Sequence, residues 1–297
     1  METNAQTDFV DPYGWDGDLL DLDAYLHRIG YTGPLTRSRA TLAALNHAHV
    51  TTFPFENLDV MAGRAIRLDV PSLQDKFVRR GRGGYCYEQN CLFAAVLERL
   101  GFTVTGVNAR ILGGSPDHVL RAAGHTALLI AWDDHFLFTD VGVGAVGTPE
   151  PVDLAPGRPV THPDGRRTRL DRTDHGLWVL YSDTGAGWQT VHKFSTDRAF
   201  RADYVDANYI AQHHPRSPFH KTYLIDLFDG AVHRELRGLT VVHTGSDGAR
   251  TERTLTPAAV PGAVEELFGI ALSPTERELM VRRSRPISDG ELMGDRS

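Results

Sequence analysis

Apolar residues in the first hundred positions recur three and four residues apart, the spacing of an amphipathic helix. In the strongest instance an apolar stripe runs from Leu92 to Leu100, and Gly101 follows as a stop signal. Ser72, with Asp75 three residues later, resembles the N-cap of another helix. The pattern therefore predicts helices over residues 21–31, 35–53, 71–81 and 86–101.

After residue 101 the spacing changes to an alternation of apolar and polar positions. The segments are short, rich in β-branched and aromatic residues, and separated by Gly, Asp and Pro. They cover residues 102–112, 125–134, 135–144, 177–183 and 188–195. Regularly spaced short strands of this kind are typical of an antiparallel barrel or sandwich.

The last third of the chain mixes both patterns. Residues 198–222 are irregular, with helical potential in the middle, and a helix is predicted around residues 262–270. Strands are predicted at residues 222–228, 239–245 and 249–256. A chain of 297 residues has room for one large domain or two to three small ones.

Charge narrows the classes of function. The formal net charge is −7, which argues against a protein that binds nucleic acid through its phosphates. Lys76, Arg79, Arg80 and Arg82 form a local basic run. Such a run is either a solvated face or a site for a small phosphorylated ligand, and the sequence leaves both interpretations open.

Composition also indicates the compartment. No segment reaches the roughly 18 apolar residues of a membrane span. The acidic first 23 residues lack the pattern of a signal peptide. Cys86 and Cys91, the two cysteines, cannot form a disulfide framework. We therefore expect a reduced, cytoplasmic protein that does not bind a membrane.

Cys86 has the setting of a reactive thiol. It follows the pair Gly83-Gly84 at the start of the fourth predicted helix, where free N–H groups and the helix dipole favour a thiolate. The glycines would let the backbone approach a ligand closely, and Arg82 would add positive charge. The alternative is that Cys86 is a small buried apolar residue.

A cysteine nucleophile needs a base and a group that orients the base. His125 opens one predicted strand and Asp140 closes the next, so an antiparallel pairing around the turn at Asp133 and Asp134 makes them neighbours. This geometry pairs His125 with Asp140 as a candidate base and its orienting group. The alternative is a solvent-facing strand histidine and an aspartate that initiates a turn.

Several sequence blocks together resemble the arylamine N-acetyltransferases. They are TTFPFENLD (51–59), RGGYCYEQN (82–90), GHTALLI (124–130) and FTDVGVG (138–144), with YLHRIGYTGP, HPRSPF (214–219) and LFGIALS elsewhere in the chain. The resemblance implies an α+β multidomain fold with a cysteine-protease-like Cys-His-Asp arrangement. Its parts would be a helical domain (1–102), an antiparallel β-barrel (103–205), and an interdomain segment with a C-terminal α/β lid (206–297).

The same resemblance implies a chemistry. Cys86 would be the nucleophile, His125 the imidazole and Asp140 the carboxylate of a ping-pong reaction. An acetyl group would pass from acetyl-CoA to Cys86 and then to an arylamine or arylhydrazine, without a metal ion. The backbone around Gly124 is a candidate contact for CoA. Glu88, Gln89 and Asn90 are expected to support the site through packing and hydrogen bonds, and Cys91 to be structural.

The acceptor pocket is expected to contain Phe55, Val143 and Phe219, where aromatic rings would stack on an arylamine. Phe219 has the alternative of being an ordinary core residue. Val143 stands where the bacterial pattern commonly has phenylalanine, so the pocket would be wider and would lack one stacking surface. The choice of acceptor is therefore open.

Other functions remain compatible with these residues. The first is an amide synthase that closes an acyl chain from a carrier-protein thioester onto an arylamine in macrolactam biosynthesis. The second is a cysteine hydrolase or transglutaminase-like enzyme, because these also use Cys, His and Asp in that order. The third is a non-enzymatic binding module. The flanking blocks favour the transferases over the hydrolases, and the filled positions of Cys86, His125 and Asp140 argue against a binding module.

Overall fold

The computed structural model describes residues 9–183, 185, 187–245 and 248–287, and helices dominate its N-terminal part. They are α1 (Leu22–Arg28), α2 (Arg39–Thr52), α3 (Leu58–Ala62), α4 (Val70–Gln74) and α5 (Cys86–Arg99), with a π-helical turn over Asp75–Arg79. Farther along lie α6 (Arg201–His213), α7 (Val260–Phe268) and α8 (Pro274–Arg283). The predicted helices are therefore present, and α3 and α8 are additions that the sequence analysis did not predict.

One helix start differs from the prediction. The N-cap of α4 is Asp69, whose side chain accepts a hydrogen bond from the Ser72 N–H, and not Ser72 itself. Pro71 lies in the first turn, where its missing N–H costs nothing because that group has no partner within the helix. The predicted cap at Ser72 was wrong because an earlier aspartate already satisfies the free donors.

The strands form two antiparallel sheets. They are β1 (Phe55–Glu56), β2 (Val104–Ile111), β3 (His125–Trp132), β4 (His135–Thr139), β5 (Val152–Asp153), β6 (Val160–Thr161), β7 (Arg167–Arg172), β8 (Trp178–Asp183), β9 (Gln189–Ala199), β10 (Leu224–Phe228), β11 (Val232–Arg237), β12 (Thr240–Gly245) and β13 (Arg250–Thr254). The eight-stranded sheet has the order β5-β4-β3-β2-β9-β8-β7-β6. It forms a nearly closed antiparallel β-barrel, one of the two architectures that the alternating segments predict.

The five-stranded sheet combines a short strand from the helical N-terminal part with four strands from the C-terminal part. Its order is β1-β10-β11-β12-β13, so β1 from the helical part pairs with the C-terminal strands. Phe55 lies opposite Asp226 in this pairing. Helices α7 and α8 share an apolar core with this sheet, to which Ile225, Leu236 and Val264 contribute.

Helix α5 is buried over most of its length. Every residue from Cys86 to Leu97 is buried, the polar residues as well as the apolar ones. The polar residues Glu88, Gln89 and Asn90 must therefore find hydrogen-bond partners inside the protein, because an unpaired buried polar group is costly. This requirement fixes the surroundings of Cys86.

The observed architecture confirms the α+β fold class, with helices first, a barrel in the middle and a C-terminal α/β part. The boundaries at residues 102 and 205 stay a prediction. Among the helices of the described ranges, none has the length and apolar character needed to cross a bilayer.

Candidate active site

Cys86 is the first residue of α5, and its side chain is buried, with 2% exposed. The glycines before it are closely surrounded by the protein's own atoms, backbone at Gly83 and side chains at Gly84. A β-carbon on Gly83 would lie 1.8 Å from the Pro54 carbonyl oxygen, and one on Gly84 would lie 2.6 Å from Glu88. Neither glycine has a positive φ. The pair therefore lets the loop pack on Pro54 and Glu88, and its approach to a ligand stays a prediction.

His125 and Asp140 lie side by side, as the strand pairing predicts. His125 Nε2 is 2.6 Å from Asp140 Oδ2, and both residues are almost fully buried. The register pairs Leu128 with Thr139, so the two residues meet diagonally on one face of the sheet and not directly across it. The alternative of a solvent-facing histidine is excluded by the burial of His125.

The three side chains form one electrostatic unit. Burial lowers the pKa of His125, but the charges of Asp140 and Cys86 and its hydrogen bonds to both raise the pKa to about 10. Burial raises the pKa of Asp140, but the positive charge of His125 outweighs burial and holds that pKa far below its usual range. Because Nε2 binds Asp140, Nδ1 is the nitrogen left for Cys86. The arrangement therefore favours a charged imidazolium beside the sulfur.

Asp140 is also held from the opposite side. Asn90 Nδ2 donates to Asp140 Oδ1 at 3.1 Å and to the Thr126 carbonyl at 2.9 Å. The Gly142 N–H donates to the same Oδ1 at 2.9 Å. A β-carbon on Gly142 would lie 2.7 Å from the Cys86 Cα, so this glycine lets the loop after Asp140 touch the start of α5. Asn90 has the supporting role expected from the sequence.

A second histidine was missed by the sequence analysis. His192 on β9 places Nε2 3.0 Å from Asp140 Oδ2, and its side chain is fully buried. His125, Asp140 and His192 offer ligand atoms within 4.8 Å of one another, the spacing of a possible metal site. In the structure these atoms are hydrogen-bonded to each other. Fourteen histidines and an unknown strand order gave the sequence no means of selecting His192.

Comparisons with known proteins agree with this geometry. A sequence profile described as N-acetyltransferase matches residues 39–277. The Escherichia coli K12 arylamine N-acetyltransferase is 33% identical over 263 residues, which cover 88% of this chain and 92% of that protein. The chain belongs to the arylamine N-acetyltransferase family. It is accordingly an acyltransferase.

Solved structures of arylamine N-acetyltransferases have the same fold. The Nocardia farcinica enzyme is 39% identical with a TM-score of 0.86, and the alignment covers 96% of this chain and 100% of that one. The Mycobacterium marinum enzyme, solved in complex with CoA, is 28% identical with a TM-score of 0.82. That alignment covers 89% of this chain and 99% of the other.

Of the three residues that we expect to line the acceptor pocket of this arylamine N-acetyltransferase, Phe55 and Phe219 lie close together. The rings of Phe55 and Phe219 have centroids 6.1 Å apart, and Phe219 also meets Tyr85 at 5.1 Å. Val143 is half-buried and packs against the core of the barrel. Phe55 lines a narrow cleft whose wall also contains Asp226. A β-carbon added to Gly124 would have no neighbouring atom within 4 Å.

The basic run divides into two pairs. Arg79 and Arg80 are exposed and pair with Asp75, as a solvated face would. Lys76 and Arg82 are buried, so neither a solvated face nor a phosphate site built from all four residues is correct. The guanidinium of Arg82 lies 2.8 Å from Glu56, and its charge is therefore committed to that carboxylate and not directed at Cys86.

The buried bases belong to a group of charges that we call the ionic cluster. It contains the basic side chains of Arg64, Lys76 and Arg82 and the carboxylates of Glu56, Asp59, Glu88 and Glu276. Glu88 accepts hydrogen bonds from Lys76 Nζ at 2.7 Å and from the Tyr85 N–H at 3.1 Å. The cluster therefore fixes the first turn of α5, where Cys86 lies.

The protonation of Glu88 should be visible in protein stability. Burial, together with the charges of Glu56 and Asp59, outweighs Lys76 and raises the pKa of Glu88 from 4.5 to about 7. Between these two values the folded state binds more protons than the unfolded state, so the free energy of unfolding falls as pH rises. The slope is limited to about 1.4 kcal/mol per pH unit for one proton.

We expect Glu88→Gln to lack this decline, because glutamine does not titrate. Urea unfolding of both proteins across the window from about pH 4.5 to 7 measures the difference. Parallel stability curves for the wild type and Glu88→Gln would show that Glu88 is ionised throughout.

Cys91 agrees with its structural assignment. It is buried in the body of α5 with 3% exposed, and burial raises the pKa of its thiol to about 12. A thiol in this state is a poor nucleophile at neutral pH. Cys91 is therefore a suitable comparison residue for Cys86.

Proposed function

We propose that this enzyme moves an acetyl group from acetyl-CoA to an arylamine or arylhydrazine through a thioester on Cys86. The observation that carries the proposal is the buried contact of His125 with Asp140, together with the influence of nearby Cys86, which also raises the pKa of His125. The family membership and the CoA complex of the M. marinum relative support the donor. The catalytic roles of the three residues are part of the proposal.

The first half-reaction uses the imidazolium–thiolate pair. The Cys86 sulfur attacks the carbonyl carbon of acetyl-CoA, and the tetrahedral intermediate collapses with cleavage of the bond to the CoA sulfur. His125 supplies its proton to the departing thiolate, so CoA leaves as a thiol and acetyl-Cys86 remains. The Asp140 charge keeps the proton on His125 until this step.

The second half-reaction needs a base. His125, now neutral, accepts a proton from the amine as its nitrogen attacks the acetyl-Cys86 carbonyl carbon. The carbon–sulfur bond then breaks, which releases the amide and restores the imidazolium–thiolate pair. In this proposal Phe55 and Phe219, whose ring centroids lie 6.1 Å apart, stack on the aromatic part of the acceptor.

The two free cysteines are consistent with a reducing compartment. Cys86 and Cys91 are both free thiols, and a nucleophilic cysteine must stay reduced to act. We propose a cytoplasmic location on this basis. The proposed partners are small molecules, namely acetyl-CoA and the aromatic amine.

Intact-mass spectrometry tests the proposal. Wild-type protein mixed with acetyl-CoA, without an acceptor, is expected to gain one acetyl group, and a simple arylamine should remove it. Peptide mapping should locate the group on Cys86. An acetyl group found elsewhere would contradict the assignment. If no acetyl adduct forms although Cys86 reacts with iodoacetamide, the donor is a different acyl thioester, as the amide-synthase alternative requires.

A further inference from the structure

Two imidazoles share one oxygen of Asp140. His125 Nε2 lies 2.6 Å from Oδ2, and His192 Nε2 lies 3.0 Å from the same atom. The other oxygen, Oδ1, accepts hydrogen bonds from Asn90 and from the Gly142 N–H. The carboxylate is therefore surrounded by donors on both oxygens. A nucleophile, base and carboxylate alone would leave Oδ2 with a single partner.

His192 is held as a neutral donor. Burial lowers its pKa, and the hydrogen bond to Asp140 and the Asp140 charge do not fully compensate. A neutral imidazole that donates from Nε2 has a bare Nδ1, and within the described part of the chain His192 Nδ1 has no hydrogen-bond partner. The geometry thus specifies one tautomer, with its proton directed at Asp140.

Apart from Asp140 and His125, the residues around His192 are apolar and give its imidazole no polar partner. Its cross-strand partners are Ile111 on β2 and Leu180 on β8, and its ring packs near Phe138 and Phe194. The titratable groups that face it are Asp140 and His125, with Cys86 beyond His125. A phenylalanine would fill this apolar site without burying an unpaired nitrogen. The hydrogen bond to Asp140 offsets the free-energy cost of burying the unpaired Nδ1 of His192.

We propose that His192 is a positioning residue, whose Nε2–H fixes the Asp140 oxygen that orients His125. The proposal rests on the proposed roles of Cys86 and His125. Two donors on Oδ2, together with those on Oδ1, hold the carboxylate plane and its negative charge in place. A fixed Asp140 keeps His125 charged and directed at Cys86. The effect on the substrate is indirect, since His192 reaches the sulfur through Asp140 and His125.

Two substitutions separate the hydrogen bond from the volume of the ring. His192→Phe keeps an aromatic ring of similar size and removes the donor. His192→Gln places an amide nitrogen near the position of Nε2, which keeps the donor and removes the titration. His162→Phe is the matched control, because His162 is also buried in the barrel with an unpaired Nδ1 but binds Thr168.

The readout is the rate of Cys86 alkylation by iodoacetamide, followed by peptide mapping from about pH 4 to about pH 9. For His192→Phe we expect the acid limb to move up by about one pH unit, so that the rate at a fixed pH on that limb falls about tenfold. His192→Gln should restore most of the rate, and His162→Phe should keep the wild-type profile. Thermal unfolding of each variant reports any loss of stability separately.

Three results would overturn the positioning role. They are an unchanged pH profile in His192→Phe, an acid limb that moves to lower pH, and a His192→Gln variant as slow as His192→Phe. The alkylation assay needs no acetyl-CoA, so its outcome is independent of which acyl donor the enzyme uses. Failure of acetyl-CoA to label the wild type would count against the proposed function and leave the role of His192 intact.

Discussion

Cys86→Ala is expected to remain folded and to lose acetyl transfer to an arylamine by roughly 10⁴-fold or more. The substitution removes the atom that would carry the acetyl group, and no other residue of the described site supplies a thiolate. Alanine at the first position of α5 keeps the helix, because it has the highest helix propensity. The measurements are steady-state transfer of acetyl from acetyl-CoA and intact mass after incubation with the donor.

Cys91→Ala is the matched control for this result. Cys91 lies in the same helix and is equally buried, but burial raises the pKa of its thiol to about 12. Its removal should leave transfer within a few-fold of the wild type and cost stability only. If Cys86→Ala retained wild-type turnover, or if Cys91→Ala abolished it, the assignment of the nucleophile would be wrong.

Asp140→Asn is expected to give the second largest loss, with alkylation of Cys86 at pH 7 slowed by roughly a hundredfold. The Asp140 charge is the largest influence that raises the pKa of His125, against burial, to about 10. Without that charge, burial favours the neutral imidazole, and the thiolate loses its counter-ion. Iodoacetamide labelling as a function of pH measures this directly, and circular dichroism checks the fold.

Asp134→Asn provides the comparison for Asp140. Asp134 also pairs with a histidine, His135, but its side chain is fully exposed at the turn between β3 and β4. An exposed pair of this kind contributes little, so labelling and transfer should be unchanged. Equal labelling rates for Asp140→Asn and the wild type would show that His125 does not need Asp140 to stabilise the thiolate.

The sequence predicted the longer helices of the N-terminal part and five of the barrel strands, because these depend on local patterns. Helical spacing located α5, and a glycine pair before Cys86 marked its start. The antiparallel pairing around Asp133 and Asp134 made His125 and Asp140 neighbours on adjacent strands, which requires only a short turn between them. The diagonal register was beyond prediction, because the exact pairing of β3 and β4 depends on the geometry of that turn.

Contacts between distant segments could not be predicted from the sequence. His192 reaches Asp140 because β9 pairs with β2 and β8, and strand order in a barrel has no local signal. Lys76 and Arg82 resembled a solvated face because their carboxylate partners, among them Glu56 and Glu276, come from other elements. The place of Val143 in the acceptor pocket rests on resemblance and stays a prediction, and its half-buried side chain packs against the barrel core.

The ionic cluster has a consequence for how the chain unfolds. Arg82 lies just before α5 and binds Glu276 of α8 at 3.2 Å, while Arg64 binds the same carboxylate at 2.6 Å. Detaching α8 would leave Arg82, a buried cation, without one of its partners in a medium of low dielectric constant. The C-terminal helix and the first turn of α5 should therefore open as one cooperative unit, with similar protection of their amides against hydrogen exchange.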